Sequence, residues 1–265
     1  MIDFGRTAPD YATHRAGFPD LLFDRLATLD LQIDDAAVVD LGTGTGALAR
    51  GFARRGAKVI GVDTARPMLE QARRLDATEG LAIDYRLGRA EETGLPSGAF
   101  DIVAAGQCWH WFDRPRATAE AFRLLAQARH LVIAYLDWLP LPDSVVEATE
   151  KLILKHNPAW QMAGGSGVHP EYLADLGGGG FIGIQTFSFD LIIPYTHEAW
   201  RGRIRASAGV AGSLAEDAVA RFDREHAAIL KSRFQIEPLQ VPHRVWTAVA
   251  TKPYIKCGHA KLAST

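Results

Sequence analysis

The stretch Val38-Val39-Asp40-Leu41-Gly42-Thr43-Gly44-Thr45-Gly46-Ala47 decides how the chain is read. Residues 36–41 are short, almost wholly apolar and carry an acid near their end. That is the pattern of a parallel strand covered on both faces. Gly42, Gly44 and Gly46 then let the backbone turn sharply and approach a ligand closely. Residues 47–55 have helical character, so the amides at the helix start face whatever the turn holds.

Outward from this unit the alternation repeats. A second strand is read over 58–62, ending at Asp63. A helix follows over 64–75, with Thr64 as N-cap and Pro67 in its first turn. Further strands are read over 82–87, 100–105 and 130–136, with a helix over 116–127. Ahead of the motif, Leu21, Leu22, Leu26 and Leu29 mark a helix over 19–29. Such alternation predicts βαβ units and a parallel sheet.

After Leu136 the character changes. Residues 137–180 contain prolines, one amphipathic helix over 144–156 and a glycine run at 177–180 read as a mobile loop. Strand-like alternation returns over 181–193, helices over 196–208 and 214–233, and a last strand over 243–250. The last two strands are expected to lie antiparallel at the end of the sheet. The expected fold is α/β: a Rossmann-like, seven-stranded, mostly parallel sheet with helices on both faces and a cap inserted after strand five, at 137–180. One domain is expected over 1–251, followed by a polar tail over 252–265.

A chain of 265 residues, 48% apolar and 23% charged, can bury a sizeable core as one α/β unit. Its net charge of −2 offers no basic field for nucleic acid, so no nucleic-acid partner is expected. The N-terminus lacks the basic region and apolar run of a secretory signal. No apolar run approaches the roughly 20 residues of a membrane span, so no membrane partner is expected. Cys108 and Cys257 are too few and too far apart for a disulfide framework. These readings together predict a reduced, cytoplasmic protein, monomeric or homodimeric. No histidines show metal-ligand spacing, and no metal is expected.

Gly42-x-Gly44-x-x-Ala47 also fits a dinucleotide fingerprint, and a nicotinamide-dependent oxidoreductase is one reading of it. Asp40 pulls the other way. It lies two residues before the first glycine, where a dinucleotide site places an apolar residue, and its charge suits a ligand with a cationic end. Asp63, closing the second strand, can accept hydrogen bonds from both hydroxyls of a ribose. Met68 can lie along an adenine face or simply pack its helix. A non-catalytic binding protein is the other open reading.

The series D-x-G-x-G-x-G (residues 40–46), G-V-D-x-x-x-x-M-L (61–69), G-x-A-E-x-x-x-L-P (88–96) and F-D-I-V (100–103) resembles the class I S-adenosylmethionine-dependent methyltransferases. The resemblance covers about residues 36–136 and, more loosely, the whole chain. It implies that Asp40, Gly42, Thr43, Gly44 and Gly46 hold the methionine end of S-adenosylmethionine. It places Asp63, Thr64 and Met68 by the ribose and adenine, and Ala90 and Glu91 on the adenine loop. Arg89 stands where many relatives have Asp.

His110-Trp111-Phe112, and Tyr11-x-x-x-Arg15 with the residues that follow, resemble the trans-aconitate methyltransferase-like branch. Ala16 and Phe18 depart from that branch's proline and tyrosine. The resemblance implies that Tyr11 and Arg15, one helical turn apart, close over the cofactor. Gln107 is expected to face its sulfonium. His110 is the candidate base, with a cofactor-lining role as its alternative. Trp109, Trp138, Trp160, Tyr195 and Arg201 are candidates for an aromatic, positively charged substrate pocket. Cys108 reads as a small buried residue. The expected activity is methyl transfer to an oxygen or nitrogen of a small-molecule acceptor, with a carboxylate suggested by analogy and S-adenosylhomocysteine as the product.

Overall fold

A computed structural model describes residues 8–254. The strands are β1 (Ala37–Leu41), β2 (Lys58–Asp63), β3 (Asp84–Leu87), β4 (Phe100–Gly106), β5 (Leu125–Trp138), β6 (Ile182–Tyr195) and β7 (Leu239–Thr251). They form one sheet in the order β3-β2-β1-β4-β5-β7-β6. The first five pair in parallel; β7 runs antiparallel to both β5 and β6. This is the seven-stranded, mostly parallel sheet expected. From β1 the chain winds outward through β2 and β3, then returns to β4 on the other side. Such a reversal opens a crevice at the carboxyl ends of β1 and β4, where α/β sheets bind ligands.

The helices are α1 (Ala8–His14), α2 (Asp20–Ala27), α3 (Ala47–Ala53), α4 (Arg66–Glu79), α5 (Arg114–Leu124), α6 (Val145–His156), α7 (Glu171–Gly178), α8 (His197–Arg205) and α9 (Glu216–Arg233). Alternate residues of a strand face opposite sides, and β1 obeys this closely. Val38 joins Leu22, Phe23 and Phe52 of α2 and α3 on one face. Val39 and Leu41 join Ala117, Leu124 and Leu176 of α5 and α7 on the other. A third core gathers α6, α8 and α9 around Trp200, Phe222 and Val241.

Four differences from the sequence expectations have physical causes. α4 starts at Arg66, and Thr64 does not cap it. Asp63 Oδ1 instead accepts from Ala65 N at 2.8 Å, which leaves Thr64 beside the crevice. The glycines at 177–180 are no loose loop, because α7 runs through Gly178 on buried Tyr172 and Leu176. Gly179 lies against Thr118 of α5, where a Cβ would collide. β7 begins at Leu239, ahead of the strand expected over 243–250, and takes in Pro242. At Pro242 the strand has only β6 as a sheet neighbour, since its pairing with β5 begins at His243, so no ladder bond is lost. The stretch 137–180 divides: α6 enters the third core, while α7 covers the sheet beside α5. Residues 255–265, with Cys257 and most of the expected tail, lie outside the described residues.

Candidate active site

The chain leaves β1 at Gly42 with φ 63°. A Cβ there would meet Cys108 Sγ and Phe112 Cζ at 2.9 Å each, in a backbone conformation that L side chains rarely take. The turn is held from both sides. Asp63 Oδ2, at the end of β2, accepts from Gly44 N at 2.8 Å. From α3, buried Arg50 donates to the Thr45 carbonyl at 2.6 Å and faces Asp76 at 3.5 Å and Glu79 at 3.2 Å.

Asp40 lies buried beneath the turn. Its Oδ2 accepts from Thr43 Oγ1 at 2.6 Å, while its Oδ1 is buried without a hydrogen-bond partner. Burial pushes this carboxyl up to about 7, opposed by the Thr43 hydroxyl and the dipole of the Ala49 amide. Burial also raises the Asp63 carboxyl, opposed by its bonds from backbone amides.

In front of the turn lies a cavity of about 1290 Å³. Single-ligand pockets span roughly 300–1,000 Å³, so this space is large enough for two small molecules side by side. Gly42, Gly44, Asp63, Thr64, Met68 and Ala90 line one end. Tyr135, Trp138, Trp160, His169, Tyr172 and Arg203 line the other. Tyr11 and Arg15 border both this cavity and a smaller recess shared with Asp40 and Thr43.

Gln107 stands between the two ends in a left-handed conformation, φ 56°, a strained state for a non-glycine residue. Its side chain is fixed on three sides. It accepts from the Arg15 guanidinium and donates to the Leu136 carbonyl at 2.5 Å and to Asp137 Oδ1 at 3.4 Å. Asp137 Oδ2 lies 2.7 Å from His169 Nε2.

The 3₁₀ turn Trp109–Trp111 buries Trp109 and places His110 and Trp111 on the cavity wall. His110 reaches the cavity; its Nδ1 is 2.8 Å from the Tyr135 hydroxyl, and its Nε2 is buried without a hydrogen-bond partner. Burial lowers its pKa to about 4, so the ring is neutral near pH 7. Cys108 Sγ donates to the Leu41 carbonyl at 3.1 Å, and burial pushes its thiol up, which suits packing rather than attack.

Residues 39–133 match the methyltransferase domain family. An uncharacterized methyltransferase of Mycobacterium tuberculosis is 34% identical over 135 residues, covering 51% of this chain and 52% of that protein. The demethylmenaquinone methyltransferase of Thermus thermophilus is 38% identical over 128 residues, covering 46% of this chain and 57% of that protein. The chain spans about half the length of the curated relatives it matches. The phosphoethanolamine N-methyltransferase 2 of Haemonchus contortus, solved with phosphomonomethylethanolamine and S-adenosylhomocysteine, shares the fold. Its TM-score is 0.56 at 17% identity, covering 95% of this chain and 57% of that one.

Around this cavity the candidate residues divide. Tyr11, Arg15, Asp40, Gly42, Thr43, Gly44, Asp63, Thr64, Met68, Ala90 and Gln107 line the cavity or its recess, and so do His110, Trp138 and Trp160. Five candidates stand elsewhere. Gly46 faces the Tyr85 hydroxyl, where a Cβ would collide. Glu91 accepts from Asp113 N at 2.9 Å, at the start of α5, and pairs with Arg89 at 3.3 Å. Trp109 is fully buried, its Nε1 donating to Asp175 at 3.0 Å. Tyr195 is packed in the third core beside Trp200. Arg201 is held by Asp223 and by Glu198 at 2.9 Å, on the outer face of α8.

Tyr135, Asp137, Glu150, Arg203 and Ser207 are among the cavity residues that the sequence did not single out. Arg203 was within reach of helical geometry. Arg201 and Arg205 are one turn apart and share a face, both reaching Asp223, so the residue between them points the opposite way. Among the described residues no group of three His, Cys, Asp or Glu is gathered as a metal site, and no helix is long and apolar enough to cross a membrane.

Proposed function

We propose that this chain transfers a methyl group from S-adenosylmethionine to an oxygen or nitrogen of a small molecule, releasing S-adenosylhomocysteine. The observation that carries this reading is the pair of acids at the glycine turn. Asp63 is tied to Gly44 and opens on the cavity, and Asp40 beneath keeps one oxygen without a donor. A buried acceptor beside a recess suits the ammonium of a methionine moiety. A nicotinamide dinucleotide brings its pyrophosphate to such a turn, where Asp40 would repel it.

The cofactor supplies an electrophilic methyl carbon on a sulfonium. The chain's own residues do the rest. Asp63 accepts from the ribose hydroxyls, Met68 and Ala90 border the adenine, and Arg15, held by Gln107, meets the carboxylate. α1 is joined to α8 by the Asp10–Arg205 pair at 2.9 Å, which keeps Tyr11 and Arg15 over the site. α6 and α8, with the loop carrying Trp160, form the substrate cap. His110 Nε2 is the proton acceptor for an acceptor group that must lose one. Holding acceptor and methyl carbon in line contributes most of the rate. The likeness of 11–19 and 110–112 to the trans-aconitate methyltransferase-like branch supports a small acceptor over a macromolecule.

Equilibrium titration with S-adenosylhomocysteine tests the cofactor assignment, and a metabolite-pool assay with methyl-labelled cofactor tests the activity. Micromolar or tighter binding is expected, with label in a low-mass product. No binding of either S-adenosylmethionine or its demethylated product would end this reading.

A further inference from the structure

We propose that Arg203, Trp160 and Ser207 form a recognition site for a negatively charged oxygen group, carboxylate or phosphate, carried by the methyl acceptor. The assignment rests on the methyltransferase reading and adds the acceptor's chemistry to it. Arg203 is 8% exposed and lines the cavity. Among the described residues it makes no hydrogen bond and no ion pair; its guanidinium lies 4.8 Å over the Trp138 ring. A cation removed from water without an anionic partner is costly unless something else compensates it. Burial lowers its pKa only to about 10, so the charge persists at neutral pH.

The carboxylates of the same cavity are committed elsewhere. Asp63 serves the Gly44 and Ala65 amides, Asp137 serves His169 and Gln107, and Glu171 lies 3.4 Å from His169 Nδ1. Glu150 accepts from Trp138 Nε1 at 2.7 Å and from Gly164 N at 2.8 Å. The neighbouring arginines of α8 are paired, Arg201 with Asp223 and Arg205 with Asp10 and Asp223. Arg203 alone faces inward.

Two further donors share its wall. Trp160 Nε1 and Ser207 Oγ are both buried without hydrogen-bond partners, and both residues line the cavity. Ser207 follows Arg203 by one helical turn. Trp160 packs on the segment after it, its ring 3.0 Å from the place of a Cβ on Gly209. Asn157 Nδ2 pins that segment by donating to the Gly209 carbonyl at 3.0 Å. Three donors with nothing to receive them call for a ligand that only accepts, and an oxyanion is that ligand. Of the other cavity arginines, Arg15 is bound to Gln107 beside the glycine turn, and Arg66 opens α4 just after Asp63. Arg203 therefore stands apart from both, on the wall shared with Trp160 and Ser207.

The test uses the protein loaded with S-adenosylhomocysteine and three probes of one shape: benzoate, phenyl phosphate and neutral benzamide. Calorimetric titration is expected to show one of the anions binding at least about tenfold tighter than benzamide, and which anion does so separates carboxylate from phosphate. Arg203→Met should abolish that preference while changing S-adenosylhomocysteine affinity less than about twofold. Arg203→Lys keeps charge and bulk but loses the planar fork, so it should weaken the preference without unfolding. Equal binding of all three probes, or a preference that survives Arg203→Met, overturns the proposal. A loss of S-adenosylhomocysteine affinity in Arg203→Met as large as in Asp63→Ala also overturns it, because Arg203 then serves the cofactor. Should the unaltered protein ignore S-adenosylhomocysteine, the methyltransferase reading fails separately. The anion site is then read on the free protein by the same three probes.

Discussion

The Gly44 amide donates to Asp63 Oδ2 across 2.8 Å, so the turn after β1 and the acid ending β2 form one hydrogen-bonded unit. Asp63 also accepts from Ala65 N and starts α4. Its removal frees two amides and takes away the acceptor proposed for ribose. Hydrogen bonds to a charged group contribute roughly 1.5–3 kcal/mol each. Asp63→Ala should therefore weaken S-adenosylhomocysteine binding by at least about tenfold, with Asp63→Asn intermediate. Calorimetric titration measures this, and an unchanged dissociation constant for Asp63→Ala refutes the role.

Asp40 predicts a pH dependence whose sign can be worked out. Burial raises its carboxyl from 3.8 to about 7 in the folded protein. The folded state thus favours the protonated form, and the stability this group contributes is intact below 3.8 and lost as pH rises to about 7. A cation beside Oδ1 binds the ionised form only. Cofactor affinity should accordingly rise by about tenfold from pH 6 to pH 8. Asp63, the other acid facing Asp40, is also raised and adds in the same direction. Asp40→Asn should flatten most of the profile. Affinity that falls with pH in the unaltered protein contradicts the assignment.

The sheet and the glycine-turn end of the cavity were legible because they depend on local rules. Asp40, Gly42, Gly44 and Asp63 reveal themselves by spacing on a strand–turn–helix unit, and all four line the cavity or its recess. The far end of the cavity was harder because long-range packing assembles it. Arg203 meets Trp138 from a helix that follows β6, and Asp137 finds His169 across the segment that carries α6. Trp109 and Tyr195 have the residue type of a substrate pocket, but the first turns into the α5–α7 core and the second into the core of α6, α8 and α9. Residue type names candidates; only packing separates a cavity wall from a core.

Gly51 supplies a stability test of the α2–α3 packing. Glycine inside a helix costs about 1 kcal/mol relative to alanine, so Gly51→Ala in α3 would ordinarily stabilise. Here a Cβ would overlap the Phe23 ring, itself buried and edge-on to Phe52 at 5.2 Å. Overpacking of this kind costs roughly 1–3 kcal/mol, which outweighs the propensity gain. The melting temperature should fall by several degrees, roughly 2–4 °C per kcal/mol at this chain length. Differential scanning calorimetry reads it, and a rise would show that α2 yields freely.

His110 carries the catalytic prediction. With the Tyr135 hydroxyl assigned as donor to Tyr172 at 3.3 Å, and accepting from His110 N at 3.3 Å, the imidazole proton is assigned to Nδ1, 2.8 Å from Tyr135. Nε2 then presents a lone pair to the cavity. With its pKa driven down by burial to about 4, the ring stays neutral across the working range. For an acceptor that must lose a proton, His110→Gln should lower kcat by about 10²–10⁴-fold while cofactor affinity moves less than about twofold. The unaltered enzyme's kcat should stay flat from about pH 5.5 to pH 8 as far as this group is concerned. A rate that halves near pH 6.5 would place the base elsewhere. An acceptor already ionised removes the need for a base, so the same substitution should then leave kcat within about threefold. Comparing one acceptor of each kind separates proton transfer from mere positioning by His110.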